Sequence, residues 1–144
     1  MTEVAFHFNV PDKLQYSCRL LRKAWGSGAR VVVTGEVETL HRLDQLLWTF
    51  SALEFVPHCQ LDAPASTVAA TPVLLADVLD SCPHHEVLVN LGREVPDGFE
   101  RFERFIELVT LADDDRAAAR TRWKHYTDRG YAMKRHDLAQ EARP

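Results

Sequence analysis

Three successive valines, Val31-Val32-Val33, constrain this chain more than any other feature. Neighbouring side chains of a strand point to opposite faces, so a short run of β-branched residues is apolar on both sides. A strand of that kind needs cover above and below, which is the position of a central strand in a parallel sheet flanked by helices. The neighbouring stretches supply the cover. Lys13 to Trp25 places Leu14, Tyr16, Cys18, Leu20, Leu21 and Trp25 mostly on one side and reads as a helix, stopped by Gly26-Ser27-Gly28. Beyond Gly35, the stretch Val37 to His58 opens as a second amphipathic helix, with Leu40, Leu43, Leu46 and Leu47 at three- and four-residue spacing. Glu3–Phe8 alternates Val4, Phe6 and Phe8 on one face and reads as a first strand. Strand, helix, strand, helix in this order implies right-handed crossovers and parallel pairing.

The remainder extends that pattern. Pro72–Ala76 reads as a third strand and Glu86–Leu91 as a fourth, while the small, polar stretch Gln60 to Thr71 reads as a loop. Phe105–Leu111 has strand character and makes a fifth strand, although a helix from Phe99 to Leu108 fits the spacing nearly as well. Asp113-Asp114-Asp115 suits the positive end of a last helix running from Asp114 to about Arg129, with Gly130 capping its other end. A chain of 144 residues with 46 % hydrophobic content suits one ordinary domain. The expectation is a single α/β domain over residues 1–133, with a mostly parallel twisted sheet of about five strands flanked by helices. A flexible polar tail is expected over residues 134–144.

Several classes are disfavoured. No run approaches the roughly 18 apolar residues of a membrane span, and the N-terminus lacks the basic region and apolar run of a signal peptide. Three cysteines without framework spacing suggest reduced thiols in a cytoplasm. A parallel sheet raises the prospect of an enzyme acting on nucleotides, but no G-x-x-x-x-G-K-[ST] occurs and no G-x-G-x-x-G follows a strand. The turn Asn9 to Asp12 holds no glycine, so a phosphate has no cradle there. His58-Cys59 and Cys82-x-His84-His85 offer ligand types without the C-x-x-C pairs of a zinc site, and histidines in turns account for them. A thiol nucleophile at Cys82 is equally unspecific. We expect no cofactor, no metal and no catalytic constellation.

Two clusters remain. Arg116, Arg120 and Lys124 lie at i, i+4 and i+8 on the last helix, with Trp123 and Val109 able to sit beside them. From Arg116 to Arg135 there are seven basic residues against a single acid, Asp128, in a chain of net charge −4 and pI near 5.9. The pattern reads either as a solvated helix face or as a basic pocket with an aromatic wall. Such a pocket suits an acidic peptide ending in an apolar residue; a phosphate backbone would bind it weakly and with strong salt dependence. The second cluster is Trp48, Phe50, Phe55, Val56 and Pro57, large apolar groups at and beyond a helix end, which either close the core or form a patch for a partner.

The residues also resemble a known family, the chi subunit of bacterial DNA polymerase III. The resemblance is carried by A-F-H-F in the first strand, A-W-x-S-G-x-R-V-x-V from Ala24 to Val33, and R-L-D-x-x-L-W from Arg42 to Trp48. It continues with F-V-P-H from Phe55 to His58 and A-R-x-R-W-K-x-Y from Ala119 to Tyr126, followed by Gly130-Tyr131, and the stretch beyond Tyr131 does not match. It implies a Rossmann-like α/β domain without catalysis and with two binding surfaces. One takes the acidic C-terminal tail of single-stranded DNA-binding protein, at Val109, Arg116, Arg120, Trp123 and Lys124. The other takes the psi subunit of the clamp loader, or a competing helicase, at Trp48, Phe55 and Val56. Contact with DNA is then indirect. Under this reading Arg120→Ala and Lys124→Ala each weaken tail binding about ten-fold or more, the scale of one charge-assisted hydrogen bond.

Overall fold

Val31, Val32 and Val33 are completely buried, as a strand covered on both faces requires. In the computed structural model, which describes residues 1–50 and 55–141, they form β2 (Val31–Thr34). The other strands are β1 (Glu3–Val10), β3 (His58–Gln60), β4 (Val73–Leu75), β5 (Val87–Asn90), β6 (Arg104–Thr110) and β7 (Ala132–Asp137). The helices are α1 (Lys13–Gly26), α2 (Val37–Thr49), α3 (Ala65–Ala70), α4 (Asp113–Asp128) and α5 (Leu138–Glu141). One sheet holds the seven strands in the order β3-β4-β2-β5-β6-β1-β7, and every neighbouring pair is parallel.

Handedness explains where the helices sit. From β1 through β2 to β3 the chain steps towards one edge, and α1 and α2 pack on one face with Val31, Val33, Val87, Val89, Ile106 and Leu108. From β3 to β7 it steps back, and Val68 of α3 and Ala119 and Tyr126 of α4 pack on the other face with Val4, Phe6, Val32, Leu88 and Phe105. Right-handed crossovers require this exchange of faces when the direction of travel reverses. Since β1 lies between β6 and β7, the crossing helix α4 runs over β1 and its phenylalanines.

Three features differ from the sequence expectation, and one alternative it left open is decided. The sheet has seven strands, not about five. Gln60 to Thr71 is no plain loop: Gln60 ends β3 and residues 65–70 form α3. Phe105 to Thr110 is strand, and the competing helix shrinks to one 3-10 turn at Phe99–Arg101. The polar stretch after Met133 is not a loose tail as far as Asp137, because Ala132–Asp137 pairs in register along β1. Two groups hold it there: Lys134 reaches Glu3 at 2.7 Å, and the Asn9 amide donates to Asp137 at 2.7 Å. Asn9 itself sits at φ +60 where the β1–β6 register shifts, a left-handed conformation that asparagine tolerates. The turn into β7 is made by Gly130 at φ +80. Its N–H donates to the Thr127 carbonyl, and the Tyr131 N–H donates to that of Tyr126, the six-to-one closure of a helix end.

Candidate functional site

The placement of α4 is fixed by buried polar groups. At its start the Asp115 carboxylate accepts from the Thr110 backbone at 2.8 Å and the Thr110 hydroxyl at 2.9 Å, and pairs with Lys13 at 3.3 Å. Burial pushes the Asp115 carboxyl up, but these hydrogen bonds and the Lys13 ammonium outweigh it and hold the group below its ordinary value. Further along, Arg122 is 1 % exposed. Its Nε donates to Glu107 at 3.0 Å, its Nη1 to the Arg93 carbonyl at 2.8 Å, and the Tyr126 hydroxyl donates to the same Glu107 carboxylate at 2.5 Å. The Asn90 amide donates to the other oxygen of Glu107 at 3.0 Å. Burial raises the Glu107 carboxyl, with Arg122 and these hydrogen bonds opposing the shift. Arg122, one of the seven basic residues counted from Arg116 to Arg135, is therefore a core residue and adds no charge to the surface.

With this face of α4 anchored, Arg116, Arg120 and Trp123 fall together on its outer flank. They border a hollow of about 380 Å³ floored by Phe6, Phe8, Val109 and Ala119. Trp123 stands edge-on to Phe6, 5.1 Å between ring centres at 70°. Val109 is 4 % exposed, a floor residue. Four of the five predicted residues thus meet. Lys124 does not: it is turned to solvent and paired with Asp128 at 2.6 Å. A cation that the sequence assigned to the tail stands in its place. Arg135 of β7 also lines the hollow, its guanidinium 5.1 Å from the centre of the Phe8 ring and 5.9 Å from that of Trp123. The alternation of Phe6 and Phe8 signalled the floor; nothing local signalled Arg135.

The second predicted cluster splits. Trp48 and Phe55 are 62 % and 45 % exposed and stack with 4.9 Å between ring centres. His58 lies beneath them, 5.3 Å from Trp48 and 5.5 Å from Phe55, its Nδ1 2.7 Å from the Val56 carbonyl and its Nε2 3.1 Å from the Asp44 carboxylate. Val56 is 3 % exposed and belongs to the core under α2, so its side chain is no part of the surface patch.

A larger hollow, about 590 Å³, opens beyond the carboxyl ends of β2 and β5. Doubly wound folds bind ligands in that crevice. Here its lining includes Glu36, Asp77, Asp80, Glu94 and Asp97. Its one arginine, Arg93, is paired with Asp114 at 2.7 Å. Among the described residues no group of three histidine, cysteine, aspartate or glutamate side chains is arranged to hold a metal ion. Cys82 is buried, which pushes its thiol up and makes it a poorer nucleophile. No helix among the described residues is long and apolar enough to cross a membrane.

An open parallel sheet, an acid-lined crevice, and exposed cationic and aromatic clusters elsewhere define a doubly wound α/β protein whose distinctive surfaces lie on helix flanks. Comparison with known proteins narrows this. Residues 1–134 match the family described as DNA polymerase III chi subunit, HolC. The chain is 34 % identical over 144 residues to the DNA polymerase III subunit chi of Pseudomonas aeruginosa, covering 96 % of this chain and 98 % of that one. It is 30 % identical over 121 residues to the subunits chi of Haemophilus influenzae and Escherichia coli, covering 83 % of this chain and 83 % and 81 % of theirs. The chain belongs to the DNA polymerase III chi subunit family, accessory subunits of DNA replication.

Proposed function

We propose that this chain is a non-catalytic adaptor of the replicase that binds the acidic C-terminal tail of single-stranded DNA-binding protein in the hollow beside α4. One observation carries the reading. Arg116, Arg120 and Arg135 surround an apolar floor, and none has an ion-pair partner among the described residues. An apolar last side chain fits against Trp123 and Val109, and the guanidiniums suit the acids around it. Lys124, at the outer margin, adds only screened attraction. The Trp48–Phe55 patch is the second docking surface, for the psi subunit of the clamp loader or a competing helicase. Stacked, exposed aromatics with a buried Val56 behind them make a rigid anchor. The acid-lined crevice runs against the alternative of a nucleotide enzyme, since phosphate entering it meets repulsion.

The test is fluorescence anisotropy with a labelled acidic peptide ending in Pro-Phe. The expected Kd is micromolar and rises with salt. Arg120→Ala should raise it about ten-fold or more, the worth of one charge-assisted hydrogen bond. Wild-type affinity in Arg116→Ala and Arg120→Ala alike would remove the hollow from the function. Tight binding of bare single-stranded DNA without the binding protein would favour a direct nucleic-acid role instead.

A further inference from the structure

Behind the exposed Trp48–Phe55 pair lies a ring with an unusual set of neighbours. Asp44 and Trp48 stand one turn apart on α2 and so share a flank. Past Phe55 the chain returns through Val56 to His58, the first residue of β3. The His58 side chain is closed to solvent, edge-on to Trp48 with the ring planes at 65° and tilted at 49° to Phe55. Its two nitrogens meet two acceptors. The Val56 carbonyl can only accept, so Nδ1 carries a proton in either charge state of the ring. A neutral ring then turns the bare lone pair of Nε2 towards the Asp44 carboxylate, 3.1 Å away, and the two repel. With a proton between them the same contact is attractive. Nε2 is sealed from water and has no hydrogen-bond partner among the described residues to offset the repulsion. The other elements around it bring no charge to the ring: β4 sets Val73 alongside it, α3 beside β3 carries no titratable side chain, and Cys59 leaves the opposite face of β3.

We infer that His58 is a positioning residue of the aromatic surface: a proton held between its Nε2 and Asp44 ties β3 to α2 and fixes Trp48 and Phe55 from behind. Without that proton the two elements push apart at this point and the rings lose their single pose. A charged ring also attracts the electron-rich faces of both aromatics, whose centres lie 5.3 and 5.5 Å away. An anchor already held in one pose costs a partner less ordering than one the partner must arrange. Docking of the psi subunit is thereby linked to proton uptake at His58; this consequence, unlike the bracing itself, rests on the reading of the pair as a docking surface.

The experiment has two readouts. In proton–nitrogen NMR spectra the His58 ring reports its charge and the Trp48 indole reports the pose of the pair. As pH rises from about 6 to about 8, a span over which histidine changes charge, the indole signal should shift and broaden in step with loss of the His58 proton. Asp44→Asn offers an amide N–H to the neutral ring, so its indole signal should keep the low-pH position throughout. A wild-type indole signal that ignores the titration of His58, or one that moves equally in Asp44→Asn, overturns the inference. A His58 ring that does not change charge over this range overturns it as well. The indoles of Trp25 and Trp123 are internal controls: if all three move together, the change is global and the assignment to His58 falls. Calorimetry with purified psi subunit supplies the second readout. Wild-type affinity should be about five-fold higher at about pH 6 than at about pH 8, and Asp44→Asn should hold the two values within about two-fold. Equal pH dependence in both proteins overturns the link to docking. Affinity unchanged by Trp48→Ala would remove the docking surface, and the NMR readout would still decide the role of His58.

Discussion

The crevice beyond β2 and β5 and the hollow beside α4 stand on the same sheet and have opposite character. The crevice is the larger, at about 590 Å³ against about 380 Å³, and occupies the place where the architecture favours ligands. It is lined by five carboxylates, and its single arginine is taken up by Asp114. The hollow has an apolar floor and three arginines with no ion-pair partner among the described residues. The comparison teaches that topology offers a location and side chains decide whether it is used. In this chain the crevice is lined with carboxylates, and the unpaired arginines lie on a helix flank instead.

The buried pair of Arg122 and Glu107 joins the two regions, since Arg122 also holds the Arg93 carbonyl at the rim of the crevice. Arg122→Ala leaves a buried carboxylate without its charge partner and should cost about 3–5 kcal/mol of stability. Urea unfolding reads this directly, and a loss below about 1 kcal/mol would show that the pair does not tie the regions together. A smaller contrast follows within the binding surfaces. Asp77→Asn and Asp97→Asn in the crevice should leave tail-peptide affinity within about two-fold, and Lys124→Ala should cost only about two-fold, because an exposed pair contributes little. Equal losses for Lys124→Ala and Arg120→Ala in an anisotropy titration would erase the distinction between the hollow and its margin.

An effect of pH concerns the back of the strand that floors the hollow. His7 lies on the other face of β1, with Nδ1 2.6 Å from the Tyr16 hydroxyl. Burial foremost, then the nearby His136 and basic side chains, lowers it from 6.5 to about 4. Between those values the unfolded chain binds the proton and the folded chain does not. Stability is thus full above pH 6.5 and declines as pH falls towards 4. His7→Gln should flatten that part of a stability–pH profile. A slope identical to wild type would show that His7 carries none of it.

The fold was legible wherever burial imposes a period. The valines of β2, the leucine stripe of α2 and the alternation of β1 each bury one face or two, and physics leaves few residue choices there. β3 spans only three residues, too few to show a period. β7 was hidden for a different reason. It is an edge strand with mostly exposed, charged residues, the composition that keeps sheet edges from pairing with other chains, and on paper it looks like a tail. The site was legible in part for a geometric reason. Side chains four apart on a helix drift about 40° per step, so Lys124 stands about 80° round from Arg116; Asp128, one turn on, then takes it. Arg122 was misread because its partner, Glu107, lies in an apolar strand fifteen residues earlier. A lone acid amid Phe105, Ile106, Leu108 and Val109 was the available clue.

The pairing of β7 with β1 carries one more implication. The contact between Asn9 and Asp137 joins positions 128 residues apart. On the ribosome β1 emerges before β7 and keeps one edge unpaired until β7 has been translated. A nascent copy halted after α4 holds two arginines on a helix and lacks the opposing wall. The hollow therefore has all its lining only in a copy whose synthesis has passed Arg135.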